Sequence, residues 1–338
     1  MRTQLPIPAA LAVLLAAGLL AGCGKGADPL SPAAPAPAEH DEAVVTDVLA
    51  QLPELAEDDL FMSDEQTELS LAAEAALGRP AVSPAAAIRP WRYWRHITDV
   101  DRRFEFEFFA PDSNGDPTRA FVTIHKSLKG TFHILTPTPA PDDTAKDDGA
   151  ALASSGDDPA PLRDLRLVRK RLHDHWLRRV ALVRVGASDT DRPHWRIAGT
   201  SGVSVQTVST ATVIPPTDIV SLRIQKANLD TTITNPLELF RLRQLIHAVP
   251  GEEVTLTVTT VGSQNVVVLL HRSLRFRFRN NGDGTYTGRW IVPGAPGIHH
   301  FGVNALSHGT LFDDEAPYES DAWILPYVTT PITVDELP

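Results

Sequence analysis

The sequence predicts a mostly β protein with N-terminal helices. It is an α+β chain in which a domain of helices plus antiparallel sheet precedes a β-sandwich. Three observations carry that expectation. Leu69, Ala72, Ala73, Ala76 and Leu77 recur at helical spacing. From Trp91 the period changes to two, and Phe104, Phe106 and Phe108 alternate with Arg103, Glu105 and Glu107, as in a half-buried strand. Beyond Pro215-Pro216, short apolar segments alternate with turn signals, the pattern of a sandwich.

Near the start, Arg2 supplies a positive charge, an apolar run extends from Ile7 to Leu20, and small residues lead into Cys23. This is the anatomy of a secretory signal peptide. The run is too short to span a bilayer well, and Pro6 and Pro8 sit near its start. Leu20-Ala21-Gly22-Cys23 resembles the lipobox of bacterial lipoprotein precursors. Members of that family are cleaved before the cysteine, which is then acylated. The resemblance implies a signal peptide at 1–22, lipidation (palmitate among the chains) at Cys23, and a membrane as partner through the N-terminal lipid. Each buried methylene contributes about 0.8 kcal/mol, so several acyl chains hold stably where one is marginal. Gly24 stands where an aspartate would resemble an inner-membrane retention signal, which implies the cell outer membrane in a host with two membranes. Cys23 is the only cysteine, so no intramolecular disulfide can form.

Residues 23–40 are rich in Ala, Pro and Gly and read as a flexible spacer. Of the net charge of −11, the segment 23–88 carries thirteen acidic residues against two basic ones. The balance is +3 over 89–213 and −4 over 214–338. An acidic chain of this kind is not expected to bind nucleic acid. Asp41 to Leu49 reads as a short helix ended near Pro53. Ser63 with Gln66 resembles a capping box for the next helix, which Gly78 and Pro80 close.

The middle domain, 41–213, holds the alternating segment at Phe104. Asp112-Ser113-Asn114-Gly115-Asp116-Pro117 then turns the chain. Ala120 to His125 and Thr131 to Leu135 read as strands around a Lys129-Gly130 turn. The acidic, Ala-rich stretch 137–161 has no periodicity and reads as a mobile insertion. Leu165 to Leu172, Arg178 to Val185, Trp195 to Ala198 and Val203 to Val213 complete a curved antiparallel sheet. By element order alone the domain resembles the nuclear transport factor 2-like fold.

The last domain, 214–338, has strands at Leu239–Ala248, Val254–Val261, Val266–His271, Leu274–Arg279, Thr285–Val292, Ile298–Leu306 and Ala322–Val334. Asn281-Gly282-Asp283-Gly284-Thr285-Tyr286-Thr287-Gly288 resembles a hairpin that recurs in bacterial immunoglobulin-like domains, and Pro293 to Gly297 turns the chain into the next strand. The resemblance implies an immunoglobulin-like sandwich.

Few constellations suggest chemistry. His173 and His175 would share one face of a strand, and with His194 could bind a metal, although the flanks are Arg-rich. Asp313, Asp314 and Asp321 are weak metal candidates near one end of the sandwich, calcium being the cation they suit. Asp112 to Asp116 resembles the start of a calcium loop but lacks its bidentate Glu, since Thr123 stands at position twelve. His299 and His300 would point to opposite faces. Gly199-Thr200-Ser201-Gly202 is no nucleophile elbow, because Val203 stands where a Gly is needed. Trp91, Tyr93 and Trp94 with Arg92 and Arg95 suggest an aromatic core plug with arginines outside, or a stacking surface. Arg275, Arg277 and Arg279 alternate with Phe276 and Phe278 as solvent and core faces.

No catalytic residue and no cofactor is expected. The chain reads as a lipid-anchored envelope protein acting as a non-enzymatic binding or structural module for an envelope protein or polymer. The alternatives are a small-ligand carrier using a concave sheet, with a pocket lined by Phe104, Phe106 and Trp94, or a hydrolase.

Overall fold

A computed structural model describes residues 37–51, 67–68, 88–112, 115–138, 164–185, 194–208, 217–241, 244–271 and 274–330. The expected signal peptide, Cys23, the expected spacer up to residue 36 and most of the expected insertion lie outside the described residues, as does the expected 213/214 boundary.

The described chain is mostly β. Helix α1 (Pro37–Ala50) comes first. The strands of the first half are β1 (Thr67–Glu68), β2 (Arg92–Pro111), β3 (Pro117–Pro137), β4 (Leu165–Val185) and β5 (His194–Thr207). Those of the second half begin with β6 (Ile219–Lys226), β7 (Leu229–Ile233), β8 (Phe240–Arg241), β9 (Ile246–Ala248) and β10 (Glu253–Thr260). They continue with β11 (Val266–His271), β12 (Leu274–Arg277), β13 (Arg279–Asn280), β14 (Thr285–Ile291) and β15 (Gly297–Leu306). Helix α2 (His308–Phe312) and β16 (Ser320–Thr329) end the described chain.

Two sheets form. The larger runs β1-β2-β3-β4-β5-β16-β15-β11-β12, with β8 against β5 and β9 parallel to β16. The smaller runs β13-β14-β10-β6-β7. One face of the large sheet packs under α1 and α2. There Val45 and Leu49 of α1 join Val122, Ile124, Leu172, Trp176, Val205, Val268 and Ile324. The other face of β11, β15 and β16 meets the small sheet. Val267, Val303, Trp323 and Tyr327 pack there on Leu222, Leu256, Val258 and Tyr286. The large sheet crosses the expected boundary between domains, because β5 pairs with β16 at Val203↔Ile324 through Gln206↔Asp321.

Several local expectations change. α1 starts at Pro37 rather than at the expected Asp41, within the stretch 23–40 expected to be a spacer. Proline suits a first helical turn, whose N–H has no intrahelical partner. Thr67 and Glu68 pair with Tyr93 and Arg92 as a strand, so no helix runs on from Ser63 through them. The rest of that expected helix lies outside the described residues. Lys129-Gly130 is no turn: β3 runs straight through it. Gly130 instead lies opposite a bulge in β2 between Ile97 and Asp99, where a Cβ would stand 2.0 Å from the His96 carbonyl oxygen. β4 is likewise one strand of 21 residues rather than two. β12 and β13 are not one strand. The chain leaves the large sheet at Phe278, which is buried, and enters the small one, leaving Phe276 47% exposed on the edge instead of in the core. The Asn281–Gly284 hairpin forms as expected, with Gly284 at φ +86° and Thr285 donating its N–H to Asp283 Oδ1.

Candidate functional site

The outer face of β2, β3 and β4 is open to solvent, beside the part of the sheet that the small sheet covers. Register fixes what it presents. Trp94, His133 and Arg169 lie in one row across the three strands, and His96, Thr131 and Arg171 in the next. The Trp94 ring stands edge-on to His133 at 5.0 Å, and His96 stacks on His133 at 6.0 Å. His96, Arg169 and Arg171 are exposed. Further along, Asp99 pairs with Lys129 at 3.5 Å.

Beyond that pair lies a histidine group. Glu105 Oε2 is 3.2 Å from His125 Nε2, and His125 Nδ1 is 3.1 Å from His175 Nε2. His173 Nε2 meets Ser127 Oγ at 3.0 Å. The bond to His125 pulls the Glu105 carboxyl below its ordinary value. Burial, then the charges of His125 and Arg103, push the His175 imidazole down. His173 and His175 therefore share a face as expected, but their partners are His125 and Ser127. His194 pairs with Val185, ten residues along β4 from His175, which is about 33 Å of strand. Ser127 and His173 make a hydroxyl–imidazole contact, and among the described residues no carboxylate is bonded to His173 as a third, orienting group.

The inner face holds charge as well. Lys170, Asp174 and Arg178 alternate with Leu172 and Trp176 on the buried side of β4. Asp174 accepts hydrogen bonds from Tyr318 at 3.0 Å and from Thr207 at 3.0 Å. Arg95 donates to Tyr318 at 3.0 Å and to Ser320 at 3.0 Å, and lies 3.9 Å from Asp174. Burial pushes the Asp174 carboxyl up, against the pull of Arg95. Lys170 donates to the carbonyls of Gly309 (2.8 Å) and Asp313, at the two ends of α2, and burial lowers its pKa to about 8. Lys126 sits 4.3 Å from the centre of the Trp176 ring. Arg178 donates to Thr200 Oγ1 at 3.1 Å. Each of these groups is buried and tied to the packed core by the bonds named.

The other candidates separate. Asp313 Oδ1 accepts from the backbone N–H groups of Glu315 (2.9 Å) and Ala316 (3.3 Å). Asp314 pairs with Arg166 at 2.9 Å. Asp321 is buried elsewhere and accepts from the Ile219 N–H at 2.7 Å. Among the described residues no three His, Cys, Asp or Glu side chains converge as a metal site. Asp112 Oδ1 accepts from the Asp116 N–H at 3.1 Å, the turn chemistry of a hairpin. His299 bonds the Ala295 carbonyl at 2.7 Å, while His300 lies 3.4 Å from Arg178 on the opposite face. Arg95 is inside, not outside as expected, because Tyr318 and Ser320 supply its bonds. Trp94 faces out while Phe104 and Phe106 pack inward, so these three cannot line one pocket.

Sequence reasoning missed Arg169, Arg171 and His133. Part of their signal was present: Arg119, His125, Lys129 and His133 stand at odd positions of β3 and Arg169, Arg171, His173, His175 and Arg179 at odd positions of β4, although Lys126, Lys170 and Arg178 stand at even ones. Splitting each strand in two hid it. No protein-family model, no curated protein and no solved structure matches the chain.

Proposed function

We propose that this is a lipid-anchored protein of the bacterial cell envelope, held by acyl chains on Cys23 and seated in the outer membrane of a host with two membranes. It works as a non-enzymatic binding module. In this reading the small sheet and the strands beneath it are an immunoglobulin-like sandwich, which supports a display face formed by β2–β4.

The observation that carries the binding role is the open outer face. A sheet that packs both faces elsewhere leaves this one exposed, with an aromatic ring, imidazoles, and Arg169 and Arg171, which have no ion pair among the described residues. Such a face suits an extended partner better than an enclosed small molecule. The separation of Trp94 from Phe104 and Phe106 speaks against a carrier pocket lined by these three.

The anchor is tested by fractionation. Full-length protein produced in a bacterial host should sediment with membranes and carry a lipid adduct in its intact mass. Cys23→Ser should release it without the adduct. A membrane-bound Cys23→Ser protein with its lipid would overturn the anchoring.

A further inference from the structure

We propose that the patch formed by Trp94, His96, His133, Arg169 and Arg171 binds an anionic glycan, a saccharide polymer bearing carboxylate groups. This rests on the reading of the protein as an envelope binding module and names its partner class.

The charge argument comes first. Arg169 and Arg171 are two residues apart on one face of β4, roughly 6.6 Å along the strand. Both are exposed, and neither has an ion pair among the described residues. Among the described residues, the two rows that contain them hold Trp94, His133, His96 and Thr131, and no carboxylate. Of the described acidic residues in neighbouring rows, Asp99 is already engaged by Lys129, and Glu68 stands opposite Arg92 on β1. Two neighbouring guanidinium groups without a counter-charge repel each other, and a carboxylate offers each a bidentate, charge-assisted hydrogen bond. The patch is local, since the chain as a whole carries −11.

The aromatic argument selects a sugar. Trp94 is half-buried and held edge-on by His133, so its ring is positioned before any ligand arrives. A flat apolar ring beside hydrogen-bond donors suits a sugar, whose ring has an apolar C–H face and a polar rim. The spacing argument selects a polymer. The groups follow one another along the strand and across it, at about 4.8 Å between strands, with no enclosing wall among the described residues.

The test uses full-length protein in detergent and titration calorimetry with polygalacturonate, neutral dextran and a single-stranded DNA oligonucleotide. Polygalacturonate should bind, with affinity falling as salt rises, and dextran should not. The double substitution Arg169→Glu/Arg171→Glu should weaken binding by about tenfold or more, and Trp94→Ala should weaken it further, both with unchanged melting temperature. No polygalacturonate binding, or binding untouched by the arginine substitutions, overturns the proposal. Equal or tighter binding of the oligonucleotide with the same losses makes this a general polyanion surface and overturns the glycan assignment. Failure of the anchor reading shows separately, as a soluble protein that still binds polygalacturonate.

Discussion

A Cβ at Gly130 would stand 2.0 Å from the His96 carbonyl oxygen and 3.0 Å from the Ile97 Cα. Both are backbone atoms of the neighbouring strand, so no side-chain rotation relieves the clash. Gly130→Ala must push β2 away from β3 at the bulge. We expect it to destabilise the protein by about 1–3 kcal/mol in urea unfolding. An unchanged midpoint would mean that the bulge lies elsewhere in β2. At the outer face, single residues also decide accessibility. The two-residue period sends Arg169 and Arg171 outward and Lys170 inward, although all three are basic and adjacent.

At the scale of the element, β4 carries buried charge that its neighbours satisfy. Asp174 has partners from β5, from β16's approach segment and from β2. Removing its carboxylate strands the Arg95 guanidinium in a dry core. Asp174→Ala should cost roughly 3–5 kcal/mol in chemical denaturation. A loss below about 1 kcal/mol would mean that water reaches Arg95 after the substitution. Replacing Asp174 and Arg95 together by apolar residues should cost less than the two single changes added, because the stranded charge goes with its partner.

At the scale of the molecule, the β5–β16 seam makes the two halves share one sheet and one core. Calorimetry should therefore show one unfolding transition for residues 37–330 rather than two. A low-temperature transition confined to one half would show that the seam does not couple them. Asp321 ties the sheets together through the Ile219 N–H, and it adds a pH dependence. Burial pushes its carboxyl up to about 8, with the charge of Asp218 adding to the shift. The folded protein keeps a proton that the unfolded chain releases above its ordinary 3.8. This contribution is complete below the unfolded value and is lost as pH rises through about 8. Lys170, with its pKa lowered to about 8, changes stability only above that value, in the opposite sense. Melting temperature should therefore fall between about pH 5 and pH 8, and fall less in Asp321→Asn. Equal slopes in the two proteins would assign the dependence to other groups.

Period and turn chemistry were legible without any structure. The Phe104–Phe108 alternation does pack inward, Val266–His271 is a strand with the expected ends, and Gly284 does take positive φ. Each follows from local sterics or from one-sided burial, which a short window of sequence contains. Strands β6 and β7 of the small sheet were missed because no glycine or proline marks the Ala227-Asn228 turn between them. What lay beyond reading was which charged residues go inside. Lys170, Asp174 and Arg178 look like solvent positions until Tyr318, Thr207, Thr200 and the ends of α2 arrive from distant sequence to bond them. For that reason β4 looked like two strands, and its outer row of basic groups went unseen. The period of a strand is written in neighbouring residues, whereas the environment of a charge is made by whatever the fold brings against it.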